Sequence, residues 1–407
     1  MSVELLHGDC LALLRTLPSD SLDACVTDPP YHLTEGKKGG SGPASASSRT
    51  PQGRARIGTG FMGAKWDGGN TAFQVELWAE VRRVLKPGAH LLAFGGTRTW
   101  HRMVCAIEDA GFEIRDCIRN EQSTTETWPG WLYGCGMPKS HNVAKAIDRT
   151  HGPGTAEAAQ WAGWGSSLKP AWEPITVARK PFPRTLASNV LQHGVGGLHI
   201  DACRIHGDDA QGGAYTIKRR KPGAEQNRTG GSYRPDDGPD YHGIQAPGRW
   251  PANVVHDGSD EVLAAFAAAG SRGASAPASG PKLRGVNTSV AHGLRRGLPD
   301  GQNPAFHHDA GSPARFFFSG KATKSDRAGS DHPTVKRVDL LRWLVRLVAQ
   351  PGSRVLDPFA GSGTLGAACL AEGMHALMME RDPTFAADIR RRFNLVGGGA
   401  ALPLFAA

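Results

Sequence analysis

The stretch VLDPFAGSGT, residues 355–364, is the most informative part of the sequence. It predicts a strand that runs into a glycine turn and then a helix, a geometry in which the backbone can approach a ligand closely. Gly361, Gly363 and Gly366 satisfy the spacing G-x-G-x-x-G, and Glu380 ends the next predicted strand, where an acidic residue can bind ribose hydroxyls. The sequence contains no G-x-x-x-x-G-K-[ST] pattern, which disfavours an ATP-type P-loop.

A second signal, Asp28-Pro29-Pro30-Tyr31, follows the apolar run Leu22–Thr27. Ligands of open parallel sheets bind at the carboxyl ends of strands. Two consecutive prolines fix the turn and leave the Pro29 carbonyl free to accept a hydrogen bond. That carbonyl and the Asp28 carboxylate suit an amino group with two N–H donors, and the Tyr31 ring can stack on a flat base.

The rest of the chain divides into four ranges. Strands alternate with helices in residues 1–120 and 331–395, which predicts a parallel sheet with helices on both faces. The expected strands are Val3–Leu6, Leu22–Thr27, Ala89–Phe94, Phe112–Ile118, Arg354–Leu356 and His375–Met379. Residues 121–330 are rich in glycine and proline with poor periodicity, and residues 396–407 form a Gly/Ala tail.

Charge and composition limit the class of protein. Lysine and arginine number 47 against 38 aspartates and glutamates, a net charge of +9 that attracts polyanions such as nucleic acid. The seven cysteines form no close pairs, which argues against disulfides and a cysteine-based zinc site, and no metal is expected. Neither a signal peptide nor a membrane span is evident, so a cytoplasmic protein is expected.

Two basic segments are predicted to be loops because they hold little apolar surface to bury. Thr34–Gly69 follows the Asp28–Tyr31 turn, and Ala214–Pro235 lies in the irregular middle. Their candidate phosphate contacts are Lys37, Lys38, Arg54, Arg56, Lys218, Arg219, Arg220 and Lys221.

In the chain, the segment Thr27–Tyr31 precedes the glycine motif Asp357–Thr364. In that order the two motifs resemble the beta-group DNA amino-methyltransferases, which use S-adenosylmethionine to methylate N6 of adenine or N4 of cytosine. The opening His7–Leu14 and the segment His332–Lys336 are similar to further stretches of that family, although Arg337 stands where members usually have proline. The resemblance implies a mostly parallel, seven-stranded class I methyltransferase sheet of Rossmann-like type. It also implies a circular permutation, with the catalytic half at 1–120, target recognition at 121–330 and the cofactor-binding half at 331–395.

The resemblance further assigns roles to residues. Catalysis would fall to Asp28, Pro29, Pro30 and Tyr31. The cofactor would be bound by Asp9, Cys10, Asp28, Thr334, Lys336, Asp357, Pro358, Phe359, Ala360, Gly361, Ser362, Gly363, Thr364 and Glu380. Pro170–Pro174 and Arg315–Gly320 also resemble family stretches, with no role assigned to them.

The implied reaction takes place on double-stranded DNA, and the buried target amine requires base flipping. Adenine is favoured because N4-cytosine enzymes more often have serine at the position of Asp28. The resemblance leaves open a homodimer, a cognate restriction endonuclease, and an enzyme of bacterial or phage origin that associates with the nucleoid.

Four other functions were weighed. C5-cytosine methylation needs a Pro-Cys nucleophile, and the sequence contains no Pro-Cys dipeptide. Protein glutamine methylation is typical of asparagine at the position of Asp28. An NAD-dependent dehydrogenase would explain Gly361–Gly366 with Glu380 but would leave Asp28–Tyr31 unused. A DNA-binding protein without enzymatic activity would explain the charge and neither motif.

Overall fold

The computed structural model describes residues 1–31, 70–121, 142–167, 172–204, 213–218, 240–245, 248, 250–251, 253–256, 322–332 and 334–395. The chain divides into two compact units. The first comprises Met1–Cys203, Ala252–Val262 and Phe317–Ala407, and the second comprises Arg204–Pro251 and Leu263–Phe316. None of the helices in these described ranges is long and apolar enough to cross a membrane.

The first unit is built on an eight-stranded sheet. Its strands lie in the spatial order β1-β10-β9-β2-β3-β5-β4-β8. Their bounds are β1 Val3–His7, β2 Leu22–Thr27, β3 Leu85–Phe94, β4 Glu113–Glu121, β5 Trp172–Arg179, β8 Val254–His256, β9 Arg354–Asp357 and β10 His375–Glu380.

The sheet brings the two ends of the chain together. The N-terminal β1 pairs in parallel with β10, and β2 pairs in parallel with β9, with Ala24 opposite Val355. Among the strands of this sheet only β5 is antiparallel to its neighbours, β3 and β4. The predicted α/β class with a mostly parallel sheet is confirmed. The sheet has eight strands where seven were expected, and the two that the sequence did not locate are β5 and the short edge strand β8.

Helices cover both faces of the sheet. The α-helices of the described residues are α1 Cys10–Leu14, α2 Val75–Val84, α3 Trp100–Asp109, α4 Val143–His151, α5 Ala156–Gln160, α6 Leu186–His193, α7 Lys324–Arg327, α8 Val338–Val348, α9 Thr364–Ala371 and α10 Pro383–Phe393. One core contains side chains of α8, α9 and α10, and the other contains side chains of α1, α2 and α3. Val355 belongs to the first core and Leu356 to the second, as expected when successive side chains of a strand point to opposite faces.

Two sequence-based expectations about the first unit differ from the structure. The strand expected at Ala89–Phe94 begins at Leu85 and runs through Pro87, with a register irregularity opposite β2 between Leu22 and Ala24. Bulges are one of the few places where a strand tolerates proline. In addition, β5 and β8 come from the range 121–330, which was expected to be irregular, and both join the main sheet.

The second unit contains a β-hairpin, in which β6 Gly213–Lys218 pairs antiparallel with β7 Asp240–Gln245. The expectation that Ala214–Pro235 is wholly a loop is therefore wrong for its first five residues. The alternation of Tyr215 and Ile217 with neighbouring small or polar residues suits a strand.

Candidate active site

A cavity of about 400 Å³ opens in the first unit, where β2, β9 and β10 end. Asp28 follows β2, Asp357 ends β9 and Glu380 ends β10, and all three carboxylates line the cavity. These strands are neighbours in the sheet, and parallel strands bring their carboxyl ends to one edge. The cavity therefore joins the two motifs that lie more than three hundred residues apart in the chain.

The glycine turn lies between β9 and α9. Gly361 has a φ of +52°, and a Cβ placed there would lie 3.2 Å from the His332 Nε2 atom. Its N–H donates a 2.8 Å hydrogen bond to Glu380 Oε2, and Asp382 N donates to the other oxygen of that carboxylate at 2.7 Å. Glu380 thus holds the turn in place as well as lining the cavity.

Gly363 serves packing and not the cavity wall. It precedes α9 with a φ of +72°, and a Cβ there would lie 3.1 Å from side-chain atoms of Ile389 and Phe393. Glycine at this position lets α10 pack closely against the turn.

Asp357 is buried at the end of β9. Its Oδ1 atom accepts hydrogen bonds from the Thr27 hydroxyl at 2.7 Å and from Phe359 N at 3.1 Å. Desolvation by burial raises the pKa of this carboxyl from 3.8 to about 7, because the two hydrogen bonds offset only part of the burial cost. The nearby charges of Asp28 and Glu380 contribute to this raised pKa.

Asp28 belongs to a network of charged side chains on one side of the cavity. Its Oδ1 atom lies 2.8 Å from the Tyr31 hydroxyl, and its Oδ2 atom lies 3.2 Å from the Lys336 ammonium. The same ammonium lies 2.6 Å from Glu173 Oε1 and 3.2 Å from the Tyr31 hydroxyl. The Tyr31 hydroxyl in turn lies 2.5 Å from Glu173 Oε1, so its single proton can be donated to either carboxylate.

The environment of Asp28 raises its pKa from 3.8 to about 6. Desolvation by burial is the main cause, the Lys336 ammonium lowers the pKa, and the like charge of Glu173 raises it again. The same burial, with both carboxylates close by, raises the pKa of the Tyr31 phenol well above its usual value. Asp28 is therefore a carboxylate at neutral pH that is able to accept a proton.

Backbone contacts fix the segment that carries Asp28 and Tyr31. The Thr99 hydroxyl, just before α3, donates a 2.7 Å hydrogen bond to the Tyr31 carbonyl. Gly96 lies against the Tyr31 ring, where a Cβ would come within 3.0 Å of Cδ2. The orientation of the tyrosine thus depends on the loop between β3 and α3.

The N-terminal segment contributes the opposite wall. Asp9 caps α1 by accepting a 3.0 Å hydrogen bond from Ala12 N, and it lines the cavity beside Cys10. Burial, with the charge of Asp9 nearby, raises the pKa of the Cys10 thiol to about 12. Cys10 is therefore a neutral packing residue and not a nucleophile.

Most of the predicted site residues meet at this cavity. Those that line it are Asp9, Cys10, Asp28, Pro30, Thr334, Lys336, Asp357, Pro358, Phe359, Ala360, Gly361, Ser362, Thr364 and Glu380. Pro29, Tyr31 and Gly363 are adjacent without lining it. Lys37, Lys38, Arg54, Arg56, Arg219, Arg220 and Lys221 lie outside the described residues, as does the side chain of Lys218 at the end of β6.

Comparison with known proteins decides the family. Residues 22–391 match the family model described as DNA methylase, which covers both motifs and the region between them. The chain belongs to this family.

Two relatives match the chain over shorter stretches, which cover less than two thirds of the relatives' own length. The type II methyltransferase M.HindIII of Haemophilus influenzae is 27% identical over 206 residues, which are 47% of this chain and 62% of that protein. For M.HinfI, a type II methyltransferase of the same species, the identity is 30% over 31% of this chain and 33% of that protein. The solved cytosine-N4-specific PvuII DNA methyltransferase is 12% identical, with a TM-score of 0.41 over 98% of this chain and 89% of that one.

Sequence reasoning missed several residues of the site. Glu173 contacts both Tyr31 and Lys336, and the only signal was the Trp172-Glu173-Pro174 stretch, which had no role assigned. Phe94 and Phe385 line the cavity from β3 and α10. Within the described part of the chain, no group of three or more histidine, cysteine or acidic side chains is arranged to hold a metal ion.

Proposed function

We propose that this chain transfers a methyl group from S-adenosylmethionine to the N6 amino group of adenine in double-stranded DNA. The observation that carries the proposal is the meeting of Asp28 and the glycine turn at one cavity. A methyl donor at the turn and an amino group at Asp28 would there lie side by side, as a direct transfer requires. Family membership supports the proposal independently.

The donor groups of the cavity fit S-adenosylmethionine. Asp28, Asp357 and Glu380 present three carboxyl groups to a ligand that carries a sulfonium and an ammonium. The close approach allowed at Gly361, and the rings of Phe359 and Phe385, suit the adenosine part. The same carboxyl groups would repel a pyrophosphate, which weighs against an NAD-dependent dehydrogenase.

Bound there, the cofactor would supply an electrophilic methyl group on its sulfonium. Asp28 would accept a hydrogen bond from the amino group of the base, and we assign the second acceptor to the Pro29 carbonyl. The amine is a poor nucleophile because its lone pair is delocalised into the ring, and two acceptors favour a pyramidal nitrogen. Positive charge grows on that nitrogen during transfer, so a nearby carboxylate stabilises the transition state. With a pKa of about 6, Asp28 is also suited to take up the released proton.

The target base must leave the duplex to reach Asp28. We assign the stacking surface to Tyr31, whose position is fixed by Thr99 and Gly96, and stacking on an aromatic ring contributes about 1–3 kcal/mol. Duplex contacts are assigned to the basic segments Thr34–Gly69 and Ala214–Pro235.

The choice of adenine over cytosine rests on Asp28. Related N4-cytosine enzymes more often have serine at this position, and N4-cytosine methylation is the second candidate. Relatives named as type II methyltransferases favour a role in restriction and modification, with a cognate endonuclease as an expected partner.

The test is the base composition of DNA after reaction. Purified protein is incubated with S-adenosylmethionine and unmethylated genomic DNA, and the nucleosides are separated and identified by mass spectrometry. The proposal predicts N6-methyladenine and no N4-methylcytosine. The reverse result would replace the base assignment, and no methylated nucleoside at all would overturn the proposal.

A further inference from the structure

Glu173 is the second residue of β5 and is not among the residues that line the cavity. Its Oε1 atom lies 2.6 Å from the Lys336 ammonium, whereas Asp28 Oδ2 lies 3.2 Å from it. The side chains of Lys336 and Glu173 are 13% and 19% exposed, so water screens their interaction little. The lysine is thus held more closely by Glu173 than by Asp28.

We propose that Glu173 is a positioning residue of the transfer reaction. It holds the Lys336 ammonium and the Tyr31 hydroxyl in place, so that Asp28 keeps acceptor capacity for the amino group of the base. This inference rests on the proposed function, and it adds to that function a residue from the antiparallel strand of the sheet.

The charge balance of the network supports this role. Asp28 and Lys336 alone would form a neutral pair, which offers little to a nitrogen that becomes positive. With Glu173 the three groups carry a net charge of −1 when the carboxylates are ionised, so the site favours a developing cation. Without the charge of Glu173, Asp28 would be the one carboxylate left beside the ammonium among the described residues, and the neutral Tyr31 hydroxyl would be the other polar group near it.

Geometry points to the same conclusion. A carboxylate has about four lone-pair positions, and Asp28 already faces Tyr31 through Oδ1 and Lys336 through Oδ2. A closer ammonium would occupy more of this capacity and compete with the base. Glu173 prevents this by accepting the shortest contact of the ammonium in the network.

The test compares Glu173→Gln with the wild-type chain. The amide keeps the size of the side chain and removes its charge. We expect kcat to fall about tenfold or more, because a charge-assisted contact is lost, while the affinity for S-adenosylhomocysteine changes less than about twofold.

The pH dependence of the rate gives a second measurement on the same variant. The groups that face Asp28 are Tyr31, Glu173, Lys336 and Asp357. Removing the charge of Glu173 should move the acidic limb of the pH–rate profile to lower pH.

Two further variants control for folding and for charge. Glu113→Gln, on β4, removes a carboxylate that lies 2.6 Å from the Arg179 guanidinium at the far end of β5. Neither residue lines the cavity, so this variant should leave kcat and the pH profile unchanged. Glu173→Asp restores the charge and should recover part of the rate. A fall in kcat with an unmoved acidic limb would show a merely structural role and overturn the inference.

Failure of the inference can be separated from failure of the proposed function. If the wild-type protein methylates no DNA, the proposed function fails. A crystal structure of Glu173→Gln then decides the separate claim that Glu173 holds the Lys336 ammonium away from Asp28. The claim predicts that the Lys336 ammonium lies closer to Asp28 than the 3.2 Å found here. A lysine that has not moved would overturn it.

Discussion

Replacing Gly361 with valine tests whether the glycine turn binds the cofactor. The position has a φ of +52°, in the left-handed region, where an L-residue costs about 1–2 kcal/mol and a β-branched one at least as much. The new Cβ would also lie 3.2 Å from His332 Nε2, so the turn must shift. A shift breaks the 2.8 Å bond from Gly361 N to Glu380 Oε2. Bonds to charged groups are worth about 1.5–3 kcal/mol. If the cofactor binds the unshifted turn, binding has to restore this geometry, and the cost corresponds to a loss of cofactor affinity of roughly 10–150-fold.

Gly352→Val is the matched control. Gly352 has a φ of +85°, nothing lies within 4 Å of its would-be Cβ, and it precedes the opposite end of β9. Both variants should lose folding free energy in thermal or urea unfolding because of the left-handed backbone, and Gly361→Val should lose more because its turn must also shift. Only Gly361→Val should lose affinity for S-adenosylhomocysteine in calorimetric titration. If both variants bind like the wild-type chain, the cofactor lies elsewhere and the reasoning is refuted.

Three other predictions concern the charged groups. The pKa of Asp28 is raised to about 6 and its ionised form is the acceptor, so kcat should rise as the pH rises through that value. A kcat independent of pH between about 5 and 8 would contradict this role. Glu380→Ala should weaken cofactor binding in calorimetric titration by about tenfold or more, since it removes the acceptor for Gly361 N and Asp382 N; unchanged affinity would count against its assignment. Replacing Lys218, Arg219, Arg220 and Lys221 by glutamine should lower the magnitude of the slope of log K against log salt for DNA binding by roughly two to three units. An unchanged slope would mean that the segment Ala214–Pro235 is a linker without DNA contacts.

For the Ala214–Pro235 segment, substituting the four basic residues tests DNA contact more cleanly than deleting the segment. Deleting Ala214–Pro235 would also remove most of β6, whose residues pair with β7. A loss of DNA binding could then reflect a broken hairpin. Neutralising the charges leaves the length and pairing of the hairpin intact.

Local pattern was enough to predict the centre of the fold. β2 and β9 are apolar runs that end in a motif, and parallel pairing places both ends at one edge of the sheet. Asp28 and Asp357 could therefore be expected at one site without knowledge of the full topology. Hydrophobic runs of this kind are the most reliable signal a sequence offers.

The contribution of β5 could not be predicted in this way. Residues 122–171, a stretch poor in periodicity, separate β5 from β4, which is its nearer partner along the chain. In addition, Pro174 weakens the pattern of a strand. Glu173 becomes part of the site only through that long-range antiparallel pairing. β3 was likewise shortened in the prediction because Pro87 reads as the end of an element.

The most direct test of the account is methyl transfer by Asp28→Ala beside cofactor binding by the same variant. Single-turnover transfer to DNA is followed with labelled S-adenosylmethionine, and binding is measured by calorimetric titration with S-adenosylhomocysteine. The account predicts that transfer is abolished while binding of the neutral product stays close to that of the wild-type chain, because Asp28 serves the amino group of the base. Transfer at a rate near that of the wild-type chain would contradict it.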